Sequence, residues 1–573
     1  GLNSLGIGGT NTFAVLEEAP PIAAAKNQSP GPFPCLITLS AKSTDALVAR
    51  VAELLNWLNN NPDTPIGDLC FTTNVSRNQF TFRFAAPARS SSQLKEHFTT
   101  WLRTVTEDAS SLQRTGKSSI AFMFSGQGSQ SVGMAAELYR THSVFRNAMD
   151  RCHALAEPYL ERGLLEVIFA ADSDDALVNR TDYTQPAVFA VEYALAQLMK
   201  SWGIVPDAVI GHSLGEIAAA CVADVMTLED AMQLVIARGT LMHRVPSGGA
   251  MAAVFAEQSA VRKLIDKIAP EITVAAMNGP LNTVVSGERD ALRMLAQELE
   301  RQNISYRELR ISNGFHSPRT EPILDEFENV AAQVKHQPPK LPLISNLTGE
   351  LMSAAPDKSY WRRHLREAVR FGDGMLALAK LDCQTFLEIG PHPVLLPIAQ
   401  ICLGAKSKSA TWIAALNRQK PDAESISEML VALYLAGHNV DWTAVHSDAS
   451  WRRIPLPTYP FQRKRYWIEE DKVDAKQARN VVERPHPLVG TRIDSNSKDV
   501  RYEARYGVRH TGYFTDHRVA GTMVLPTSAE LEAATIAGRM HFGTSSVSFD
   551  DAMHHEAMSF TNGEDRTVRV LLT

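Results

Sequence analysis

Paired cysteines are missing from this chain: Cys35, Cys70, Cys152, Cys221, Cys383 and Cys402 are scattered, with no C-x-x-C. That excludes a disulfide framework and a zinc ribbon, and points to buried thiols in a reducing compartment. Long apolar runs are missing too, none approaching the ~18 residues of a membrane span. No charged-then-apolar leader opens the sequence. Positive charge is in deficit, 57 Lys+Arg against 63 Asp+Glu, whereas a nucleic-acid binder is normally basic. The basic "WRR" and "RKRYW" are short and sit in a proline-bearing stretch. "HHE" (554–556) reads as strand with its histidines on opposite faces, which is poor metal geometry.

What remains is an ordinary globular composition, 45% apolar and 21% charged, over 573 residues. That length predicts two or more units. The glycine-rich opening "GLNSLGIGGTN" runs into a strand-like "TFAVLEEA", and the chain stops on the period-2 "DRTVRVLLT". Both ends read as the interior of a longer polypeptide.

Residues 20–34 are linker by composition. A small mixed unit follows to about 115, with strands at "CLITLSA" and "FRFAAPA" and a helix capped by Ser43. An adaptor role fits it best. From 118 to 246 strands and helices alternate, which predicts an α/β core with a mostly parallel sheet. The βαββαβ order from "GGAMAAVFA" through "ITVAAMNGPLNTVVSG" to "ISYRELRISN" predicts a ferredoxin-like insert. The α/β pattern resumes at "PLISNLTG" and "CQTFLEIGPHPVL". Beyond 415 come a helix ("SISEMLVALYLAGHN"), "PLPTYPFQRKRYW", the charged linker "EEDKVDAKQARN" and a β-rich stretch from "HPLVG".

The chemistry concentrates at "IGHSLGEIAAAC", where Ser213 stands in a G-x-S-x-G between an apolar strand and a helix-forming run. Glycines at 211 and 215 permit a strained turn that lifts the hydroxyl clear of the sheet. The competing reading is a buried helix-capping serine. His316 of "SNGFHSPR" is the candidate base, against the alternative of an incidental loop histidine. No aspartate signature accompanies it, so a main-chain carbonyl or side-chain amide would orient its ring. Oxyanion donors are available from the amide of Leu214 and from Gln127, set between glycines in "SGQGSQ". Arg238 interrupts the apolar run Leu234–Ala237, 25 positions after the serine. Buried in the serine's cleft it is a fork for a carboxylate; otherwise it is a surface residue of an amphipathic helix.

Together these residues resemble the acyltransferase domain of type I polyketide synthases, of the malonyl-CoA:acyl-carrier-protein transacylase family. "FSGQGSQ", "YTQPAVFA", "GHSLGE", "NGP…VVSG", "GFHS", "PLISNLTG", "YWRRHLREAVRF" and "EIGPHPVL" follow in that family's order. The resemblance covers nearly the whole chain. It implies a ketosynthase C-terminal remnant at 1–19 and a ketosynthase–acyltransferase linker domain at 20–117. The acyltransferase follows at 118–415, an α/β-hydrolase-like large subdomain with a parallel sheet plus a ferredoxin-like small subdomain at about 248–312. A post-acyltransferase linker is expected at 416–483, and a truncated dehydratase N-terminal hot-dog at 484–573.

Residue by residue, the resemblance makes Ser213 the acylated nucleophile, His316 the base, Arg238 the partner of the malonyl carboxylate and Gln185 a pocket-lining residue. Gln127 and Leu214 supply oxyanion amides. Malonyl-CoA is the donor, the phosphopantetheine of an acyl carrier protein the acceptor, and no cofactor or metal is bound. Leu214 and Phe315 resemble malonyl-selective members, a phenyl ring filling the space of an α-methyl. The family's "HAFHS" is "NGFHS" here, and Asn313 with Gly314 is expected to loosen the pocket. In the last segment His517, Gly521 and Pro526 fit the dehydratase pattern H-x-x-x-G-x-x-x-x-P, with His517 as its base. That family's partner aspartate lies in a second hot-dog, so no dehydratase activity is expected from this chain. Residues 484–573 are expected to be protease-sensitive. Expected partners are an acyl carrier protein and the neighbouring ketosynthase and dehydratase domains, in the cytoplasm, without nucleic acid or membrane. The chain itself is expected to be a monomer. The competing functions are a methylmalonyl-selective transferase, an editing acyl hydrolase and a non-catalytic docking scaffold.

Overall fold

The computed structural model describes residues 1–6, 8–9, 11–18, 35–107, 116, 118–170, 175–309, 313–465, 486–493, 499–561 and 564–573. The linker at 20–34, the charged stretch at 469–480 and residues 310–312 of the expected strand "ISYRELRISN" lie outside the described residues. The chain divides into two bodies, Gly1–Gln462 and Arg463–Thr573.

In the first body the strands that read as apolar on both faces form one parallel sheet. Its order is Leu343–Ile344, Ala208–Gly211, Ser119–Phe124, Cys383–Ile389, Thr411–Ala414. Both faces are covered, as a parallel sheet requires: Ala208–Gly211 is buried throughout. The 21-residue helix Thr181–Ser201 is almost entirely buried, and it packs against helix Leu228–Arg244. These two helices meet closely at Gly239, where a Cβ would lie 3.0 Å from the Thr181 carbonyl oxygen. That contact brings the neighbouring Arg238 towards Gln185.

The ferredoxin-like insert is present. Four antiparallel strands run Tyr306–Glu308, Gly249–Val254, Asn282–Glu288, Thr273–Gly279. With helices Gln258–Ile268 and Arg289–Arg301 they enclose a small core of their own, built on Val261, Leu264, Leu292 and Leu295.

The unit at 35–107 pairs Cys35–Ala41 antiparallel with Phe82–Ala88. Ser43 caps helix Thr44–Asn60 by accepting from the Ala46 amide. Helix Ile66–Val75, which no motif announced, completes the unit. Residues 451–462 return to it: the Arg452 amide donates to Asp68 (2.8 Å), the Ile454 amide to Thr72 (3.0 Å) and the Ser43 hydroxyl to Gln462 (2.8 Å). Helix Asp422–Leu435 departs from the expectation of a linker beginning at 416. Ile426, Met429, Leu430 and Leu433 are buried in the core of the five-stranded sheet, so this helix is part of the large subdomain.

In the second body Thr491–Ile493, Val500–Gly507 and Asp565–Leu572 form one antiparallel sheet, and three short strands form another. Helix Thr527–Phe542 buries Ala529, Ala533 and Ala537 in a core with Tyr502, Tyr506 and Phe514. Residues 554–556 are not strand, contrary to the reading of "HHE"; instead His554 Nδ1 lies 2.8 Å from the Glu530 carboxylate. Among the described residues, no cluster of His, Cys, Asp or Glu is fit to hold a metal ion. Nor is any helix long and apolar enough to cross a membrane.

Candidate active site

Ser213 sits where strand Ala208–Gly211 turns into helix Leu214–Val222, at φ 51° and ψ −111°. That backbone is costly for a residue with a side chain and persists only where its surroundings enforce it. Two glycines make the turn possible. A Cβ on Gly211 would lie 2.1 Å from the Glu216 nitrogen, and one on Gly215 would lie 2.2 Å from the Phe124 carbonyl oxygen. Asn346 of "ISNLTG" then clamps it: Oδ1 accepts from the Ser213 amide (2.7 Å) and Nδ2 donates to the Gly211 carbonyl (2.8 Å). The Asn346 amide in turn donates to buried Glu216 (2.7 Å), which also accepts from the Tyr360 hydroxyl. Serine as helix cap is ruled out, since its hydroxyl accepts no helix amide.

The hydroxyl instead faces His316, with Oγ and Nε2 2.8 Å apart. Nδ1 of the same ring lies 2.8 Å from the Glu367 carbonyl oxygen. A carbonyl only accepts, so Nδ1 carries the proton and Nε2 is left as the acceptor for the serine. The orienting carbonyl anticipated from the missing aspartate is thus main chain. Burial holds the His316 pKa well below the ordinary 6.5, helped by the nearby positive charge of Arg238 and by His364; the Glu367 carbonyl opposes them. The imidazole is therefore neutral and able to take a proton.

Arg238 lies in the cleft and not on the surface, 2% exposed. It donates from NH2 to Ser213 Oγ (2.9 Å) and from NH1 to Gln185 Oε1 (2.7 Å). Among the described residues no carboxylate pairs with it, and its Nε–H has no acceptor. Burial lowers its pKa to about 10, so it stays charged at neutral pH. Gln185 Nε2 reaches the Thr181 hydroxyl (3.1 Å), which donates to Gln127 Oε1 (3.0 Å). Side chains thus run continuously from the "SGQGSQ" loop to the serine.

Gln127 is brought close because Gly126 lies against the elbow, where a Cβ would stand 2.8 Å from the His212 carbonyl oxygen. Leu214 opens its helix, so its amide has no intrahelical acceptor. Phe315 is buried beside His316, and Asn313 Nδ2 donates to the Met242 carbonyl (3.2 Å). Gly314 packs against a strand of the small subdomain. A Cβ on facing Gly249 would lie 2.2 Å from the Gly314 nitrogen, and the Gly314 carbonyl accepts from Ser317 (2.6 Å). A side chain at Gly249 would prise the loop from the strand, and one at Gly314 would press on the Gly287 carbonyl oxygen at 3.0 Å. His517 belongs to the second body, where its Nδ1 lies 2.7 Å from the Val524 carbonyl oxygen. Asn346, Glu216 and Tyr360 were not singled out from sequence. The only signal was the asparagine of "SNLTG" and the glutamate of "GHSLGE", polar residues inside apolar surroundings.

The family model for the acyl transferase domain matches residues 121–440, that for the CurL-like polyketide synthase C-terminal segment 35–98, and that for the polyketide synthase dehydratase domain 486–573. The chain is 35% identical over 554 residues to polyketide synthase GfsA of Streptomyces halstedii, covering 94% of this chain and 7% of that protein. Its fold matches the acyl transferase domain of ZmaA with a TM-score of 0.68 and 32% identity, covering 75% of this chain and all of that one. The acyl transferase domain of SpnD, in complex with 2-(pent-4-yn-1-yl)malonyl, matches at 0.63 with 31% identity, covering 72% of this chain and 97% of that one. A Ser–His pair on a strained elbow, a buried arginine and these matches together establish that the chain belongs to the acyltransferase family of type I polyketide synthases.

Proposed function

We propose that this chain carries a malonyl group from malonyl-CoA, through an ester on Ser213, to the phosphopantetheine thiol of an acyl carrier protein. The observation that carries this reading is Arg238: a buried guanidinium on the serine hydroxyl with no anionic partner among the described residues. A buried charge calls for a counter-charge, and a malonyl thioester brings a carboxylate to that place. The substituted malonyl named for the SpnD domain supports the same acyl class. An uncharged acyl chain, the substrate of an editing hydrolase, would leave the guanidinium unpaired.

In the first half-reaction Ser213 Oγ attacks the thioester carbonyl carbon while His316 Nε2 takes its proton. The amides of Leu214 and Gln127 face the developing oxyanion. The C–S bond breaks and the CoA sulfur leaves with the proton from His316. The second half-reaction is the reverse, with the carrier-protein thiol as nucleophile. Between them Arg238 holds the carboxylate and so fixes the acyl group during its wait. Phe315 beside His316 favours malonyl over methylmalonyl.

The flanking segments fit the ends and linkers of neighbouring synthase domains, with 1–19 as ketosynthase, 20–117 and the chain after 440 as linkers, and 484–573 as the first dehydratase hot-dog carrying His517. The setting is the cytoplasm, and partners are the carrier protein and those domains. Intact-protein mass after brief incubation with malonyl-CoA or methylmalonyl-CoA tests the central reading. A malonyl adduct on wild type, absent from S213A, is expected. A dominant methylmalonyl adduct overturns the selectivity. CoA release without an adduct makes the chain a hydrolase, and neither adduct nor release makes it a scaffold.

A further inference from the structure

Behind the "SGQGSQ" loop lies a buried polar chain that the mechanism above does not use. Glu192, on helix Thr181–Ser201, is fully buried. Its Oε1 lies 2.7 Å from Ser125 Oγ, Ser125 Oγ lies 3.0 Å from Ser129 Oγ, and Ser129 Oγ lies 3.1 Å from the Gly126 carbonyl oxygen. That carbonyl belongs to the peptide whose other end is the Gln127 N–H. Gly390 closes the space on the far side, since a Cβ there would lie 2.4 Å from Ser125 Oγ.

The protons of this chain can be counted. Three O···O contacts need three protons, and the two serine hydroxyls hold two. An ionised Glu192 only accepts, so one contact would then have no proton at all. A neutral Glu192 supplies the third, and every link is satisfied in one direction: carboxyl to Ser125, Ser125 to Ser129, Ser129 to the Gly126 carbonyl. The surroundings agree. Oε2 of Glu192 has no hydrogen-bond partner, and no cation pairs with the carboxyl among the described residues. An ion so placed is far costlier than a neutral acid. Burial drives its pKa well above the ordinary carboxylate value and buried Glu388 adds to the rise, against the side-chain and main-chain hydrogen bonds of Ser125, which oppose it.

We infer that Glu192 is a positioning residue held as the neutral acid, which through Ser125 and Ser129 orients and polarises the 126–127 peptide so that Gln127 N–H faces the oxyanion. The inference rests on the acyl-transfer reading above. A hydrogen bond at a peptide carbonyl strengthens donation from the same peptide's N–H, and chains of such bonds reinforce one another. The effect falls on the transition state, where oxyanion donors act.

Two measurements on the full chain test it. The first is acylation of Ser213 by malonyl-CoA in wild type, S129A, E192L, E192Q and the double variant S129A/E192L. S129A and E192L are each expected to lower the maximal rate about tenfold at unchanged KM, a fraction of what complete loss of an oxyanion donor costs. The double variant is expected to fall no further than either single one. E192Q, whose amide replaces the acid as first donor, is expected to restore most of what E192L loses. A wild-type rate in S129A, or fully additive losses, overturns the inference. The second is the infrared difference between wild type and E192Q at about pH 8, where ordinary carboxyls are ionised. A protonated-carboxyl stretch that shifts in D2O is expected, and its absence overturns the inference whether or not the chain acylates. If wild type takes up no malonyl group while that band is present, it is the acyl-transfer reading that fails and the proton chain stands.

Discussion

The acyltransferase cleft and the hairpin of the second body each place a histidine Nδ1 on a main-chain carbonyl, at Glu367 for His316 and at Val524 for His517. On the other nitrogen they differ. His316 Nε2 meets Ser213 Oγ, in a cleft where Arg238 also reaches that oxygen. His517 Nε2 meets nothing among the described residues, and the residue is exposed. Both contacts fix the same tautomer, with the proton on Nδ1; only in the first region does the free Nε2 meet a nucleophile. A lone histidine in a motif is half a site, and the other half has to come from elsewhere in the chain.

The largest break in that contrast is loss of the nucleophile. S213A is expected to lower acyl transfer by at least about 10³-fold, as removal of a triad-type nucleophile does, measured as malonyl incorporation. Its melting temperature is expected to hold, because the side chain is only half-buried and the backbone of the elbow is unchanged. Next comes Arg238. R238M is expected to lower malonyl transfer by about 10²-fold, the size of losing one partner of a buried charge pair. Because the guanidinium has no counter-charge among the described residues, R238M is expected to melt no lower than wild type. A parallel fall in melting temperature would make Arg238 structural instead.

How much of this was legible in advance follows from which interactions are local. The elbow was readable because G-x-S-x-G encodes a turn within five residues, and the βαββαβ insert because alternating strands and helices imply one sheet order. The carbonyl of Glu367 was not nameable, since any residue can offer a carbonyl and only the fold decides which one arrives. Asn346 was hidden for a related reason. Its two bonds to the elbow span more than 130 positions, and its one local signal, a polar residue after an apolar strand, suits a turn residue equally well. Helix Asp422–Leu435 was misplaced in a linker because its composition records burial without recording the partner. At Gly314 a glycine can serve two purposes. Flexibility is one; close approach, here to Gly249, is the other.

The pH response sharpens the contrast without any mutation. Burial keeps His316 neutral well below 6.5, so the base form persists as pH falls. The maximal acylation rate is expected to stay level down to pH 6.5 and to decline only below it, read from single-turnover incorporation across a pH series. A decline centred at or above 6.5 would mean that the imidazole is solvated in the working enzyme. F315S is expected to act more weakly on rate and mainly on choice. Opening space beside His316 should shift the malonyl to methylmalonyl ratio by ~1–3 kcal/mol, the worth of one methyl in an apolar pocket, read from competition between the two thioesters.

The smallest expected effect is that of H517A, and it bears on the comparison most directly. If His517 belongs to a separate chemistry, replacing it should leave malonyl transfer to Ser213 within about twofold of wild type, the range of a surface substitution away from any site. The fold should hold as well. The bond lost is the exposed one between the ring and Val524, while the main-chain bonds that define the hairpin, Val524 N–H to the His517 carbonyl and His517 N–H to the Phe514 carbonyl, do not involve the side chain. Glycine at 521, with φ 82°, and Ala520, with φ 48°, continue to set the turn. A clear loss of transfer in H517A would therefore mean that the second body contributes to the first reaction, and the two histidines would have to be treated as parts of one site.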